Sequence, residues 1–147
     1  MKNEITVELG SMPSGTAQQK GEYVRGGRIH HYTKPAVERF KNIIISQIRS
    51  KAPESPCTGP VKMEMIFFYD VKDKRLWGRY KPTRPDVDNA AKLWLDCFTQ
   101  AGYWRDDSVI VDLRIIKGYC APGKAKVCIR WEELTSGQTV VTQPNNG

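Results

Sequence analysis

The stretch Arg84-Pro85-Asp86-Val87-Asp88-Asn89 places two carboxylates directly before an amphipathic segment, and the pair Asp106-Asp107 follows that segment. The chain as a whole is basic, with 23 lysines and arginines against 16 aspartates and glutamates and a formal net charge of +7. Neighbouring carboxylates repel each other unless a cation lies between them. We therefore expect a divalent-metal site on a surface that binds a polyanion.

The two aspartates of this stretch have a structural alternative. Pro85 disfavours helical backbone at Arg84, so a helix should begin at the aspartates, and either Asp86 or Asp88 could cap it. A cap uses one carboxylate, whereas two carboxylates two residues apart on an extended segment project into one pocket. Hard cations such as Mg²⁺ take carboxylate oxygens together with water and phosphate. The pair therefore predicts a Mg²⁺ site.

Lys92 lies four residues after Asp88 on the same face of the predicted helix, with Asp96 one turn further on. These residues could form a row of surface ion pairs. Alternatively, Lys92 could stabilise charge on a reacting phosphate, and the neighbouring acids favour this role. Side chains alternate along a strand, so we expect one residue of the pair Asp106-Asp107 to reach the site and the other to support it.

Hydrophobic periodicity predicts an α+β fold in the order β-α-β-α-β-β. The predicted strands are residues 4–9, 61–69, 109–116 and 125–131, and the predicted helices are residues 34–50 and a segment from the carboxylates to Ala101. The last two strands should run antiparallel. We expect a small mixed four-stranded sheet with two helices packed on one face, and one domain at residues 1–134 followed by a flexible tail at 135–147.

Two segments combine positive charge with features suited to nucleic acid. Residues 17–34 are rich in basic residues and glycine and should form a mobile loop, while residues 71–84 hold six cations against one acid, with Trp77 and Tyr80 between them. Cations of this kind contact phosphates and the rings can stack on bases, although solvated or packed loops are the alternatives. The candidate DNA contacts are Lys20, Arg28, Arg79, Lys81 and Arg84.

Other classes of protein are disfavoured. The four cysteines, Cys57, Cys97, Cys120 and Cys128, have neither zinc-site nor disulfide spacing. We find neither a signal-peptide pattern nor an apolar run long enough to span a membrane. We therefore expect a soluble cytoplasmic protein with reduced thiols and no membrane partner.

The combined motifs resemble the RusA family of Holliday junction resolvases. The matching residues are Arg84-Pro-Asp-Val-Asp-Asn89, Lys92, Asp96, Ala101-Gly-Tyr-Trp104, Asp106-Asp107 and the strand that ends at Lys117. The resemblance implies that Asp86, Asp88 and Asp107 bind the metal and that Lys92 assists, with Asp106 and Asn89 supporting them. Residues 12–20 differ from the Pro-Pro-Ser-Asn-Asn-like segment of the best-known members and are closer to a phage-type branch.

The resemblance also implies an activity. A RusA-like nuclease domain would be a homodimeric endonuclease that uses Mg²⁺, or Mn²⁺ in its place. It would resolve Holliday junctions by paired symmetric nicks during recombination and repair in a bacterial or phage-infected cell. A flap or fork nuclease with the same site, and a branched-DNA-binding protein without catalysis, are the alternatives.

Overall fold

The computed structural model describes residues 2–12, 23–25, 28–30, 34–135 and 139–140. The strands and helices are β1 (Lys2–Gly10), β2 (Tyr23–Arg25), β3 (Arg28–His30), α1 (Lys34–Ile48), β4 (Val61–Asp70), α2 (Val87–Gln100), β5 (Ile110–Cys120) and β6 (Ala125–Glu133). The predicted α+β class and the predicted order of the two helices and four main strands are confirmed. Lys20 and most of the predicted tail lie outside the described residues, so the tail stays a prediction.

The main sheet has the strand order β1-β6-β4-β5. β5 runs parallel to β4, because α2 carries the chain back along the sheet between them, and β6 is antiparallel to both β4 and β1. The last two strands therefore run in opposite directions, as predicted. They are not hydrogen-bonded neighbours, however, since β4 lies between them and residues 121–124 cross its end.

One face of this sheet forms the core with both helices. Alternate residues of β1, β4 and β6 are buried there: Ile5, Val7, Val61, Met63, Met65, Phe67, Ala125, Val127, Ile129 and Trp131. Trp94 of α2 packs edge-on against Phe40 of α1 and Phe67 of β4, with ring centroids 6.2 and 5.7 Å apart. These contacts confirm that the two helices cover one face of the sheet.

The opposite face, here called the open face, is charged. Glu64 of β4 accepts from Arg114 of β5 at 3.4 Å and lies 3.8 Å from Arg130 of β6, which also lies 3.8 Å from Glu4 of β1. Glu64 thus points away from the core, as its position in the alternating pattern predicts. No element of the described chain is seen to pack across this face.

Residues 17–34 contain more structure than predicted. β2 and β3 form an antiparallel pair in which Arg25 lies opposite Arg28. The sequence between them is Gly26-Gly27, and a two-glycine connection is typical of a tight hairpin. The prediction of a loop is therefore wrong at these two strands, and the glycine pair was the available sign of a hairpin.

The cysteines and the lengths of the helices can be compared with two further expectations. All four cysteines are free thiols. Within the described ranges, no helix combines the length and the apolar character needed to cross a bilayer.

Candidate metal and nucleic-acid site

The two aspartates of the opening stretch lie at the start of α2. Asp86 occupies the N-cap position with φ −66° and ψ 152°, and its carbonyl oxygen accepts from the Ala90 N–H at 2.9 Å. Its carboxylate, however, accepts no capping hydrogen bond from the helix. Asp88 lies in the first turn, and both side chains are exposed. Capping therefore does not account for Asp86, and both carboxylates are accessible to a ligand.

Lys117 of β5 holds the turn that precedes these aspartates. Its ammonium donates to the carbonyl oxygens of Thr83 at 2.6 Å and Pro85 at 2.5 Å. Lys117 pairs in register with Phe67 and so lies on the helix-covered face of the sheet. The sequence alone indicates no separate role for Lys117, which matches the family pattern only as the last residue of the strand. Its place among the alternating residues of β5 that face the helices was the only available indication.

The basic segment 71–84 folds back along the sheet. Residues 78–81 pair with the outer edge of β5: the Gly78 N–H donates to the Tyr119 carbonyl at 3.0 Å, the Tyr119 N–H donates to the Arg79 carbonyl at 3.0 Å, and the Lys81 N–H donates to the Lys117 carbonyl at 2.9 Å. The segment is therefore ordered by main-chain bonds near the start of α2.

The side chain of Lys81 makes contacts within the protein. Its ammonium donates to the Thr83 hydroxyl at 2.6 Å and lies 5.2 and 5.3 Å from the ring centroids of Tyr69 and Tyr119. Burial raises the pKa of Tyr69, so its hydroxyl stays protonated. The predicted contact of Lys81 with DNA would compete with these bonds, whereas Arg79 and Arg84 are exposed.

The two aromatic residues of the segment differ in exposure. The Trp77 indole N–H donates to the Val71 carbonyl at 2.7 Å and the side chain is 37% exposed, whereas Tyr80 is 79% exposed. Tyr80 is thus the more accessible of the two for stacking on a base. Of the other predicted DNA contacts, Lys20 lies outside the described residues, and Arg28 is described only through the backbone of β3.

The second acidic pair lies in a turn and not in a strand. Residues 107–109 form a 3₁₀ turn before β5, and the Asp106 carboxylate accepts from the Ser108 N–H at 3.0 Å. Hydrogen bonding by the Ser108 side chain, together with this bond from its N–H, lowers the pKa of Asp106, because both stabilise the ionised carboxylate. Asp107 is the first residue of the turn and is exposed.

The fold separates Asp107 from Asp86 and Asp88. α2 spans 14 residues, and at 1.5 Å per residue its two ends are about 20 Å apart. The bonds from Lys117 place Asp86 beside the late part of β5, whereas Asp107 immediately precedes the beginning of that strand. Among the residues that the structure describes, no three histidine, cysteine or acidic side chains are grouped so that they could hold a metal ion. One chain therefore offers two candidate ligands at one end of α2 and the third at the other.

Lys92 and Asp96 lie on the exposed side of α2, and Asn89 is half-buried near its start. In the described part of the chain, Lys92 has no carboxylate within ion-pair distance, so the alternative of a row of surface ion pairs is not observed. The structure thus brings Asp86, Asp88, Asn89 and Lys92 into the first two turns of α2. Asp106 and Asp107 lie beyond the other end of the helix.

Comparison with known proteins gives consistent matches. The family model described as endodeoxyribonuclease RusA matches residues 12–130. A crossover junction endodeoxyribonuclease rusA from Lactococcus phage r1t is 35% identical over 120 residues, which cover 80% of this chain and 88% of the relative. The uncharacterized protein YqaN of Bacillus subtilis is 30% identical over 118 residues, covering 73% of this chain and 82% of that protein. The crossover junction endodeoxyribonuclease RusA of Escherichia coli K12 is 47% identical over 34 residues, covering 23% of this chain and 28% of its own.

Proposed function

The chain belongs to the RusA family of endodeoxyribonucleases, and we propose that it is a metal-dependent endonuclease that cuts four-way DNA junctions. The observation that carries this proposal is the Asp86 carboxylate, which occupies a capping position without capping the helix and lies exposed beside Asp88. The exposed cations Arg79 and Arg84 lie in the segment that leads to these acids. Carboxylates that can bind a metal, next to arginines that can contact phosphates, suit a phosphodiester substrate.

Asp86 and Asp88 are suitable ligands for a hard divalent cation. Two exposed carboxylates in one helical turn match the preference of Mg²⁺ for a few protein oxygens, with its other positions left to water and phosphate. Mn²⁺ accepts the same donors. When bound, such a cation would supply Lewis-acid polarisation of the scissile phosphate. Lys117 would orient the pair by holding the Thr83 and Pro85 carbonyls.

A homodimer would allow Asp107, the third candidate ligand, to approach Asp86 and Asp88. In a two-fold arrangement, the Asp107 end of one chain can lie beside the Asp86 end of another, so each site would draw on both copies. Two such sites related by two-fold symmetry would match the near-symmetric strands of a four-way junction and produce paired nicks. Asp106, whose carboxylate stabilises the 107–109 turn, would support Asp107.

We assign the remaining residues their proposed roles from their positions. Lys92 lies one helical turn after Asp88 without an ion-pair partner in the described chain, and its ammonium could stabilise charge developing on the phosphate. Asn89, half-buried between Asp88 and Ala90, would support the two aspartates. Arg79 and Arg84 would contact flanking phosphates, and Tyr80 would stack on an exposed base.

The proposal is tested by cleavage of a synthetic four-way junction in the presence of Mg²⁺. Asp88→Asn should slow cleavage by at least about a hundredfold, as expected when a group that stabilises transition-state charge is lost. Junction binding should be retained or strengthened, because a negative charge near the phosphates is removed. Asp96→Asn, two turns further along the exposed side of α2, is the matched control and should cut normally.

The same assay separates the alternatives. If flap or fork substrates are cut faster than junctions, the proposed substrate is wrong but the proposed metal site stands. Junction binding without product at any Mg²⁺ or Mn²⁺ concentration would indicate a non-catalytic binding protein. Equal cutting by the wild type and Asp88→Asn would refute the metal site.

A further inference from the structure

Three side chains with hydrogen-bond donors meet just before the start of α2. The Lys81 ammonium donates to the Thr83 hydroxyl at 2.6 Å, and that hydroxyl lies 3.5 Å from the hydroxyl of Tyr119 in β5. Thr83 is exposed, and Lys81 and Tyr119 are half-buried. A ligand can therefore reach these three side chains, here called the donor cluster, from solvent.

The donor cluster has more donors than its own acceptors use. A lysine ammonium carries several N–H donors, and each hydroxyl carries one O–H. Within the cluster, one N–H of Lys81 is directed to Thr83, and one of the two hydroxyls can donate to the other. One O–H and the other N–H groups of Lys81 therefore remain for a further acceptor.

The charge of the cluster is not balanced by an acid in the part of the chain that the structure describes. Lys81 takes part in none of the ion pairs found there. The same is true of Lys117, whose ammonium donates to the carbonyl oxygen of Thr83 at 2.6 Å. Two ammonium groups thus bond to one residue without a carboxylate beside them, which favours an anion as the ligand.

Two aromatic rings hold the Lys81 ammonium in position. It lies 5.2 Å from the ring centroid of Tyr69 and 5.3 Å from that of Tyr119, and these tyrosines are neighbours in the register of β4 and β5. Ring faces attract a cation but do not neutralise it. A phosphate oxygen would compete with the ring contacts while the bond to Thr83 is kept. The cluster is therefore arranged before a ligand arrives, which lowers the entropy cost of binding.

We propose that Lys81, Thr83 and Tyr119 bind one backbone phosphate of the DNA strand that is cut. This assignment rests on the proposed function and adds a phosphate site next to its metal site. Thr83 is three residues before Asp86, so no more than about 11 Å of extended chain separates them. Successive phosphates of one strand are about 3.4 Å of helical rise apart. The bound phosphate would therefore lie within a few nucleotides of the scissile phosphate.

Lys117 links this phosphate site to the metal site. Its ammonium holds the carbonyl oxygens of both Thr83 and Pro85, the residue before Asp86. A phosphate bound at the donor cluster would therefore fix the strand relative to Asp86, which is a positioning role. Loss of the cluster should weaken junction binding more than it slows cleavage of the bound junction.

Junction binding tests the site, with EDTA present to prevent cleavage. Lys81→Met should bind at least about tenfold more weakly, and the slope of log affinity against log salt should fall by about 0.9, because one phosphate contact is lost. Thr83→Val and Tyr119→Phe should each bind at least about twofold more weakly with the slope unchanged, since a neutral donor is lost. Lys126→Met is the control and should change neither quantity, although Lys126 also lies over a ring, that of Phe68 at 5.6 Å.

Neutral methylphosphonates that replace single phosphates of the junction locate the contact. At one position near the cut, this replacement should weaken binding by the wild type at least about fivefold and leave binding by Lys81→Met almost unchanged, because the same contact is already absent. Lys81→Arg keeps the charge and should keep the sensitivity at that position. If Lys81→Met does not fold, Thr83→Val takes its place in the comparison.

The phosphate site is refuted if no methylphosphonate position loses its effect in the cluster variants. That result is expected if the cluster binds only free inorganic phosphate or only stabilises the turn. Equal weakening of binding by Lys126→Met and Lys81→Met would also overturn it. Cleavage with Mg²⁺ is measured separately. A junction that is bound with this sensitivity but not cut refutes the nuclease alone, and a junction that is cut without it refutes the phosphate site alone.

Discussion

Lys117 places a positive charge near the N-terminal end of α2, where the helix dipole disfavours a cation. Its two carbonyl acceptors, on Thr83 and Pro85, compensate for this and tie the turn to β5. Lys117→Met should lower the free energy of unfolding by about 1–3 kcal/mol, since hydrogen bonds from a charged donor are lost. Urea denaturation measures this change.

The control for Lys117 is Lys126→Met on the neighbouring strand β6. Lys126 is also partly buried, but its ammonium lies 5.6 Å from the Phe68 ring centroid on the open face and does not hold the turn. Equal losses for the two variants would contradict a special role of Lys117 in positioning the turn.

Asp106 makes the stability of the second acidic turn dependent on pH. Hydrogen bonds from the Ser108 side chain and N–H lower the carboxyl pKa of Asp106 in the folded state. The stability that they contribute is therefore present above the unfolded pKa and is lost as pH falls through the folded pKa. Asp106→Ala should therefore lower the melting temperature near neutral pH. The difference from the wild type should shrink below about pH 4, where an ordinary aspartate begins to protonate.

Melting curves between neutral and acid pH test this expectation. Asp96→Ala, which removes an exposed aspartate from α2, is the comparison variant and should show a smaller difference from the wild type. If the melting temperature of Asp106→Ala stays below that of the wild type by the same amount down to acid pH, the ionised carboxylate is not the stabilising form.

At the level of elements, periodicity was sufficient to predict the two helices and the four main strands, because each packs apolar side chains against a single core, β5 through the half-buried Ile110 and Ile115. It could not predict strand neighbours. The alternation of β6 is the same whether it pairs with β5 or enters between β1 and β4. The short connection at residues 121–124 favoured a hairpin with β5, but four residues are also enough to cross the end of one strand.

A hydrogen bond from one buried hydroxyl links the end of α1 to the residues that follow α2. Tyr103, which follows α2, is fully buried and donates to the Ile48 carbonyl at the end of α1 at 2.6 Å. Tyr103→Phe keeps the ring contacts with Phe98 and Trp131 but removes the hydroxyl that donates to that carbonyl. The free energy of unfolding should fall by about 1–2 kcal/mol. Tyr80→Phe, at an exposed position, should leave it unchanged, and similar losses for both would contradict this account.

At the scale of the whole molecule, the acidic residues could be recognised from the sequence but their distances could not. Asp86, Asp88 and Asp107 stand in one motif, yet a helix of 14 residues separates the first two from the third. Proximity in sequence is not proximity in space when a regular helix intervenes, since each residue adds about 1.5 Å of rise. A site that uses all three therefore depends on how two copies are arranged.

The distribution of charge indicates which side of the molecule would face DNA in the proposed function. Arg84 is exposed beside the aspartates, whereas Arg130 lies on the open face and is 3.8 Å from both Glu4 and Glu64. Each phosphate contact releases counterions, so the logarithm of affinity falls with the logarithm of salt concentration by about 0.9 per contact. Arg84→Gln should weaken junction binding and reduce this slope by about 0.9. Arg130→Gln should change neither, because its charge is already balanced by two acids.

Junction binding measured across a series of salt concentrations, with EDTA present to prevent cleavage, gives both slopes directly. The two variants can be compared directly because they remove the same charge from different places, Arg84 beside the aspartates and Arg130 on the open face. Overall charge attraction alone would lower both affinities equally, since net charge is the same in both variants. A reduced slope for Arg130→Gln together with an unchanged slope for Arg84→Gln would place the DNA on the open face, away from Asp86 and Asp88, and would contradict the assignment of the nuclease site to the start of α2.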